Sequence, residues 1–282
     1  YGLFYYRDIT AIIATVIIAN LTMYIGVIAY HRLLIHRSFR TPKKLEYFLI
    51  FIANFSGMGS PIYLLNVHEV RDWAQRKKYC HNYFAHRENI ILDGFQQLFC
   101  RLELQQPPEF QFEIETDIFY KHLERFWLLY QIPIGILLYQ FGGWAWVYSG
   151  IFLKIFAVQF GHWFVAYLLH NYGQQPTIMK KAGVQGFNIH LLALLTFGEA
   201  YHNNHHRCPE AARVCFEKDQ IPTFRIFVVD LNPFFTLFIG CSWDTLFSHI
   251  KNSNLHKCRT IYPPKRFTSK SIRNAFPFVI NT

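Results

Sequence analysis

Residues 9–30 read ITAIIATVIIANLTMYIGVIAY, an uncharged apolar run that stops directly at HRLLIHRSFRTPKK, residues 31–44. A helix crossing the hydrocarbon core of a bilayer needs about 20 such residues, so the run predicts a transmembrane helix. Its exit is rich in Arg and Lys, which predicts that this end faces the cytoplasm. Composition points the same way. Of the 282 residues, 52% are hydrophobic, 18% aromatic and 16% charged, against about a quarter charged in a soluble domain. Two histidines, His31 and His36, stand where the helix leaves the membrane.

The next apolar segment, residues 45–67, is LEYFLIFIANFSGMGSPIYLLNV. Its SGMGSP core breaks or kinks a helix, so the segment either spans with a kink or enters the membrane and returns. Residues 68–125 are polar and mixed in charge, and read as a water-exposed helical insert. Residues 126–141 and 144–170 flank Gly142-Gly143 and predict a transmembrane hairpin with a glycine turn. Lys154, inside its second arm, is expected to snorkel or face the protein interior. Further on, residues 224–240 read as interfacial or packed on the core, and the basic tail 251–273 as lying at the head groups. The expected architecture is all-α and a single domain over 1–282. Membrane helices lie at about 9–30, 45–67 (broken or re-entrant), 126–141 and 144–170. A cytosolic helical cap from 68–125 and 171–282 carries a two-metal site. With three full spans, parity predicts a further span upstream.

The net charge of +10 fits anionic lipid head groups, a phosphate-bearing substrate or nucleic acid. The basic residues flank apolar runs and form no aromatic-interleaved surface, which argues against nucleic acid. Six cysteines include no C-x-x-C pair. They suggest neither a zinc site nor a small disulfide scaffold, and are expected to be reduced thiols.

Histidine concentrates in four places: HRLLIH (His31, His36), HEVRDWAQRKKYCHNYFAH (His68, His81, His86), GHWFVAYLLH (His162, His170) and GEAYHNNHH (His202, His205, His206). Positions i, i+3 and i+4 share a helix face, so the last three can converge on one spot. His68 and Asp72 can aim an imidazole and a carboxylate together. His31 and His36 are five apart, roughly 140° on a regular helix. They serve two different metals, or the helix ends between them. His122, His249 and His256 read as solvated, and His162 and His190 as structural or interfacial.

Many imidazoles, no thiolate motif and one carboxylate suit iron, zinc or copper. A structural zinc takes four ligands. The candidates here (His31, His36, His68, Asp72, His81, His86, His170, His202, His205 and His206) are too many for one ion and suit two. Two irons can activate dioxygen and abstract a hydrogen from unactivated carbon. Glu199 is expected behind the ligands, orienting a ring.

HRLLIHRSF and GEAYHNNHH resemble the first and third histidine boxes of the membrane fatty-acid desaturases, in the branch that includes stearoyl-CoA and bacterial Δ9-type enzymes. WFVAYLLH resembles that branch's extra histidine. The resemblance implies two iron ions, O2 as co-substrate, a hydrophobic acyl tunnel and insertion of a double bond into a fatty acyl chain linked to CoA, lipid or a carrier. The second box departs from the H-x-x-H-H pattern. In the preferred register His68 survives, Arg71 and Asp72 stand in for the other two, and His81 and His86 are helpers. A competing register keeps only His81. Ala166 also departs, since the acyl-CoA enzymes carry an asparagine there.

The rivals are a hydroxylase on the same scaffold, a metal transporter and a non-catalytic lipid-binding relative. Transporters place ligands near the midplane, often with inverted repeats, and no repeat is visible here. The sequence shows no haem module, nucleotide fingerprint or iron–sulfur cysteine set. A separate electron donor, ferredoxin or cytochrome b5 by analogy, is expected. Arg37, Arg40, Lys43 and Lys44 are candidates to meet that donor, CoA phosphates or lipid head groups.

Overall fold

The computed structural model describes residues 8–104, 108, 110–211, 214, 215 and 220, and the backbone of Phe278–Asn281. The segments 224–240 and 251–273, with His249 and His256, lie outside the described residues.

The protein is mostly helical. Helix α1, Ile9–Ile35, is long and apolar enough to cross a membrane. Asp8 caps its start, accepting from Ala11 N at 3.1 Å. Ile9, Ile13, Ile17 and Leu21, every fourth residue, are exposed along one stripe, as suits a lipid-facing surface and not the core helix of a soluble protein. From Val27 to Ile35 the helix widens into a π-helix. Then come α2 (Lys43–Asn54), α3 (Pro61–Arg76), the short α4 (Asn82–Ala85), α5 (Ile90–Phe99) and α6 (Ile118–Phe126).

A second apolar helical region, α7, covers Gln131–Asn171 and also has the length and character of a membrane helix. Its backbone leaves the helical region at Gly142 and Gly143, where Gly143 has φ 65°. The two arms fold back on each other. A Cβ on Gly150 would meet Leu138 of the opposite arm, and Lys154 Nζ lies 3.2 Å from Gln131 Oε1. The first arm begins at Gln131, not 126, and is about 16 Å long, roughly half the hydrocarbon thickness. Short helices α8 (His190–Ala193) and α9 (His202–Arg207) follow.

The break at SGMGSP separates α2 from α3, and polar side chains of α7 satisfy it. Lys154 Nζ donates to Phe55 O at 2.7 Å, and Gln159 Nε2 donates to Gly57 O and Met58 O, each at 3.1 Å. Irregular backbone among apolar helices is tolerated only with such partners. Lys154 is 2% exposed, so of the two expected courses it takes the interior one. Pro61 opens α3. Glu124 of α6 accepts from Ile62 N and Tyr63 N at 3.1 and 3.3 Å, supplying the acceptors that helix starts lack. The core below joins Tyr30, Leu34, Ile50, Leu65, Tyr120 and Leu123.

Three features differ from the sequence expectation. Strand β1, Cys100–Glu103, pairs in parallel with β2, Phe278–Asn281, so a two-stranded sheet joins the helices. The polar insert also holds α5, which turns Ile91, Phe95 and Phe99 outward. That is an apolar stripe at i, i+4 and i+8 which a purely aqueous insert would bury. Gly94 lets α5 sit on α7, since a Cβ there would lie 2.7 Å from the Trp163 ring. Cys208 is disulfide-bonded, against the expectation of reduced thiols throughout. Cys80, Cys100 and Cys215 are free.

Candidate metal centre

The π-widening of α1 settles the relation of His31 to His36. In a π-helix, bonds run i to i+5, and His36 N donates to His31 O at 3.0 Å. The two rings therefore lie one turn apart on one face, edge to face with centroids 4.6 Å apart, and their Nε2 atoms are 3.0 Å apart. That spacing suits a single ion rather than two. His205 from α9 and His68 from α3 close the group. Ring centroids lie 4.6 Å apart for His36–His205, 4.9 Å for His31–His205, 4.9 Å for His36–His68 and 5.1 Å for His31–His68.

The second group is His170, His202 and His206. Nε2 of His202 lies 3.3 Å from that of His170 and 3.0 Å from that of His206. Two nitrogens bound to one metal at about 2.0–2.1 Å lie about 3.0–3.4 Å apart, so both groups fit metal ligation. His170 Nδ1 donates to Ala166 O at 2.8 Å, which leaves Nε2 as the lone-pair atom facing its partners. The buried Nδ1 atoms of His36, His68 and His205 have no hydrogen-bond partner among the described residues. His36, His68 and Asp72 form a third set, with ligand atoms within 4.8 Å of one another.

Secondary contacts hold these rings. Glu199 Oε2 accepts from His31 Nδ1 at 2.9 Å, the arrangement that fixes a ligand's tautomer and tilt. Its Oε1 takes Arg32 Nε and Nη2 at 2.8 and 2.7 Å. The asparagines of HNNHH point away from the histidines. Asn203 Nδ2 donates to Thr177 O and Gly186 O, and Asn204 Nδ2 to Val214 O. Asn188 Oδ1 accepts from Asn203 N at 2.9 Å. Gly186 sits against this turn so closely that a Cβ would be 2.8 Å from His202 O and 2.9 Å from His206 Cδ2.

Burial favours the neutral form of His36, His68, His202, His205 and His206, the form a metal needs. Burial, then the neighbouring imidazoles, holds His36 and His202 well below the usual histidine range. Burial and the neighbouring charges do the same for His68 and His205. Burial brings His206 down to about 4. Burial opposes ionisation of Glu199, but Arg32 and His31 outweigh it and hold its carboxyl at about 2.

His86 and His81 are placed differently. His86 is buried, with its ring 5.0 Å from that of His170. Its Nδ1 lies 3.0 Å from Asp93 Oδ1, and its Nε2 accepts from Arg71 Nη1 at 3.1 Å. Both nitrogens are thus engaged. His81 is exposed and caps α4, its Nδ1 accepting from Tyr83 N at 3.2 Å. Arg37, Arg40, Lys43 and Lys44 are exposed near the exit of α1, with Lys43 paired to Glu46 at 2.6 Å.

Sequence reasoning missed Arg32, Gln75 and Asp93. Gln75 Nε2 donates to Phe84 O at 2.7 Å and lies 3.1 Å from His170 Nε2. Asp93 takes Trp163 Nε1 at 2.7 Å as well as His86. Arg32 lay inside the quoted HRLLIH stretch. The other two act on residues far along the chain and left no local signal.

Fold and site together define a membrane-associated helical protein whose polar cap gathers two groups of histidines able to hold metal. No family model matches the sequence. Curated relatives do. The chain is 34% identical over 202 residues, 66% of its length, to the sn-2 palmitoyl-lipid 9-desaturase of Nostoc sp. (strain 36), covering 65% of that protein. It is 31% identical over 192 residues, again 66% of its length, to the sn-1 stearoyl-lipid 9-desaturase of Anabaena variabilis, covering 67%. It is 30% identical over 202 residues, 70% of its length, to the acyl-CoA 5-desaturase AL21 of Anemone leveillei, covering 60%. The chain thus spans less than two thirds of the first and third of these relatives. It belongs to the membrane fatty acyl desaturase family, in its Δ9-type branch.

Proposed function

We propose that the protein is a two-iron fatty acyl desaturase, embedded by several passes with its metal centre on the cytosolic face. The observation that carries this is the convergence of two histidine groups, each with nitrogens at ligand spacing, where apolar helices meet a polar cap. Bound there, two iron ions with O2 and two electrons supply the oxidising power to remove two hydrogens from an unactivated carbon pair.

The chain's own residues prepare that site. His31, His36, His68 and His205 form the first position, and His170, His202 and His206 the second. Glu199 holds the His31 proton on Nδ1 and so aims Nε2 inward. His86 packs against the second position while Arg71 and Asp93 hold its ring. The substrate is a fatty acyl chain on a glycerolipid, CoA or carrier, lying among the apolar helices. Arg37, Arg40 and Lys44 are placed to meet its head group or an acidic donor of ferredoxin or cytochrome b5 type. The relatives' names favour double-bond formation over hydroxylation.

The test is elemental mass spectrometry of detergent-purified protein after anaerobic ferrous loading, followed by analysis of lipid products. Two irons per chain and a new double bond are expected. His202→Ala and His205→Ala should each lower the stoichiometry towards one and abolish product, while both variants still enter the membrane. A wild-type protein that holds one iron or none refutes the reading.

A further inference from the structure

Helix α3 carries the altered second box, and its geometry assigns a role that imidazoles alone would not fill. His68, Asp72 and Gln75 lie at i, i+4 and i+7, on one face. His68 touches the first group, its ring 5.1 Å from His31 and 4.9 Å from His36. Gln75 touches the second, 3.1 Å from His170 Nε2. Asp72 lies between them, about 6 Å along the axis from His68 and about 4.5 Å from Gln75. The two groups adjoin, since the His202 and His205 rings stack at 5.4 Å.

We propose that the Asp72 carboxylate is shared by the two metal positions, reaching the first beside His36 and His68 and the second on the side of His170, which Gln75 on the same face of α3 touches. This rests on the two-metal reading above. Asp72 Oδ1 is 3.6 Å from His68 Nδ1, and its carboxylate belongs to the set within 4.8 Å that includes His36. Arg76 Nη2 takes Oδ2 at 3.3 Å, from a side chain 43% exposed. A carboxylate has two oxygens and about four lone-pair sites, so that contact leaves room for two metals.

Gln75 cannot do the same. Its Nε2, not its oxygen, faces His170, and Phe84 O anchors that nitrogen. Among the described residues the second position has three convergent imidazoles and the first has four, so the second depends on Asp72 more. A hard oxygen donor between the positions also offsets the positive charge that an all-imidazole pair leaves uncompensated.

The full-length protein, loaded anaerobically with Co(II), tests this by titration, elemental analysis and electron paramagnetic resonance. Wild type should bind two cobalt ions that are magnetically coupled. Asp72→Asn keeps the shape and removes the charge. It should weaken the second ion by about tenfold or more, weaken the first by less, and give the spectrum of isolated ions. Asp72→Glu, which keeps a carboxylate, should retain coupling. Unchanged affinities and coupling in Asp72→Asn overturn the proposal. Should that variant not fold, wild type decides, because two uncoupled ions there also overturn it. A wild type that binds fewer than two ions refutes the two-metal reading instead.

Discussion

Replacing Glu199 by leucine removes a carboxylate that Arg32 and His31 share, and the two losses can be measured separately. Arg32 is 1% exposed, and Glu199 Oε1 takes its Nε at 2.8 Å and Nη2 at 2.7 Å. Breaking a buried pair by removing one partner costs about 3–5 kcal/mol, because an uncompensated charge is left behind. Arg32 keeps a hydrogen bond to Ala211 O at 3.1 Å, so the low end applies. At about 2–4 °C per kcal/mol for a chain of this size, the unfolding midpoint in detergent should fall by roughly 6–12 °C. Removing the other charge as well, in Arg32→Met/Glu199→Leu, should recover most of that loss, since a buried pair and an apolar replacement are often close in stability. Metal affinity should not recover. His31 Nδ1 still lacks its acceptor, and losing such a partner costs about 10–100-fold in affinity. Thermal scans and metal titrations on both variants check this. A midpoint unchanged in the single variant refutes the account of Arg32. Metal affinity restored in the double variant refutes the account of His31.

Three further outcomes follow from particular contacts. Gly186→Ala places a methyl 2.8 Å from His202 O and 2.9 Å from His206 Cδ2. Such overpacking costs about 1–3 kcal/mol, so the midpoint should fall and the second metal be lost first, as seen by elemental analysis. Lys154→Met strands the Phe55 carbonyl and Gln131 Oε1, at about 1–3 kcal/mol, and should lower the midpoint with metal content intact. His81→Ala removes only an exposed helix cap. Product formation and iron stoichiometry should stay near wild type, and loss of either would restore His81 to the metal centre.

Much of the site was legible because its parts are local. The triplet His202, His205 and His206 shares a face at helical spacing, and the structure brings it against histidines from two other segments. The glycine pair at 142–143 turns the chain as its residue type demands. Glu199 lies beside the third box and reaches a ring of the first. The altered second box was harder, because its residues fit more than one register on sequence spacing. In the structure α3 places His68 beside the first group and Gln75 beside the second, a placement that spacing alone does not specify.

The sequence by itself determined that apolar helices carry histidines to their polar ends, because hydrophobic run length and residue type decide what a bilayer accepts. It also determined which histidines can converge within a turn. Tertiary structure alone decided the rest. The spacing of His31 and His36 implied opposite faces on an α-helix, and only the π-widening of α1, held by packing around it, brings their nitrogens to 3.0 Å. His86 and His81 look alike as residues in one polar run. Burial between Asp93 and Arg71 sets one against the centre, and a surface turn leaves the other in solvent. Those outcomes depend on partners distant in sequence, such as Gln75 with His170 and Arg32 with Glu199, and no local pattern encodes a contact that only folding makes.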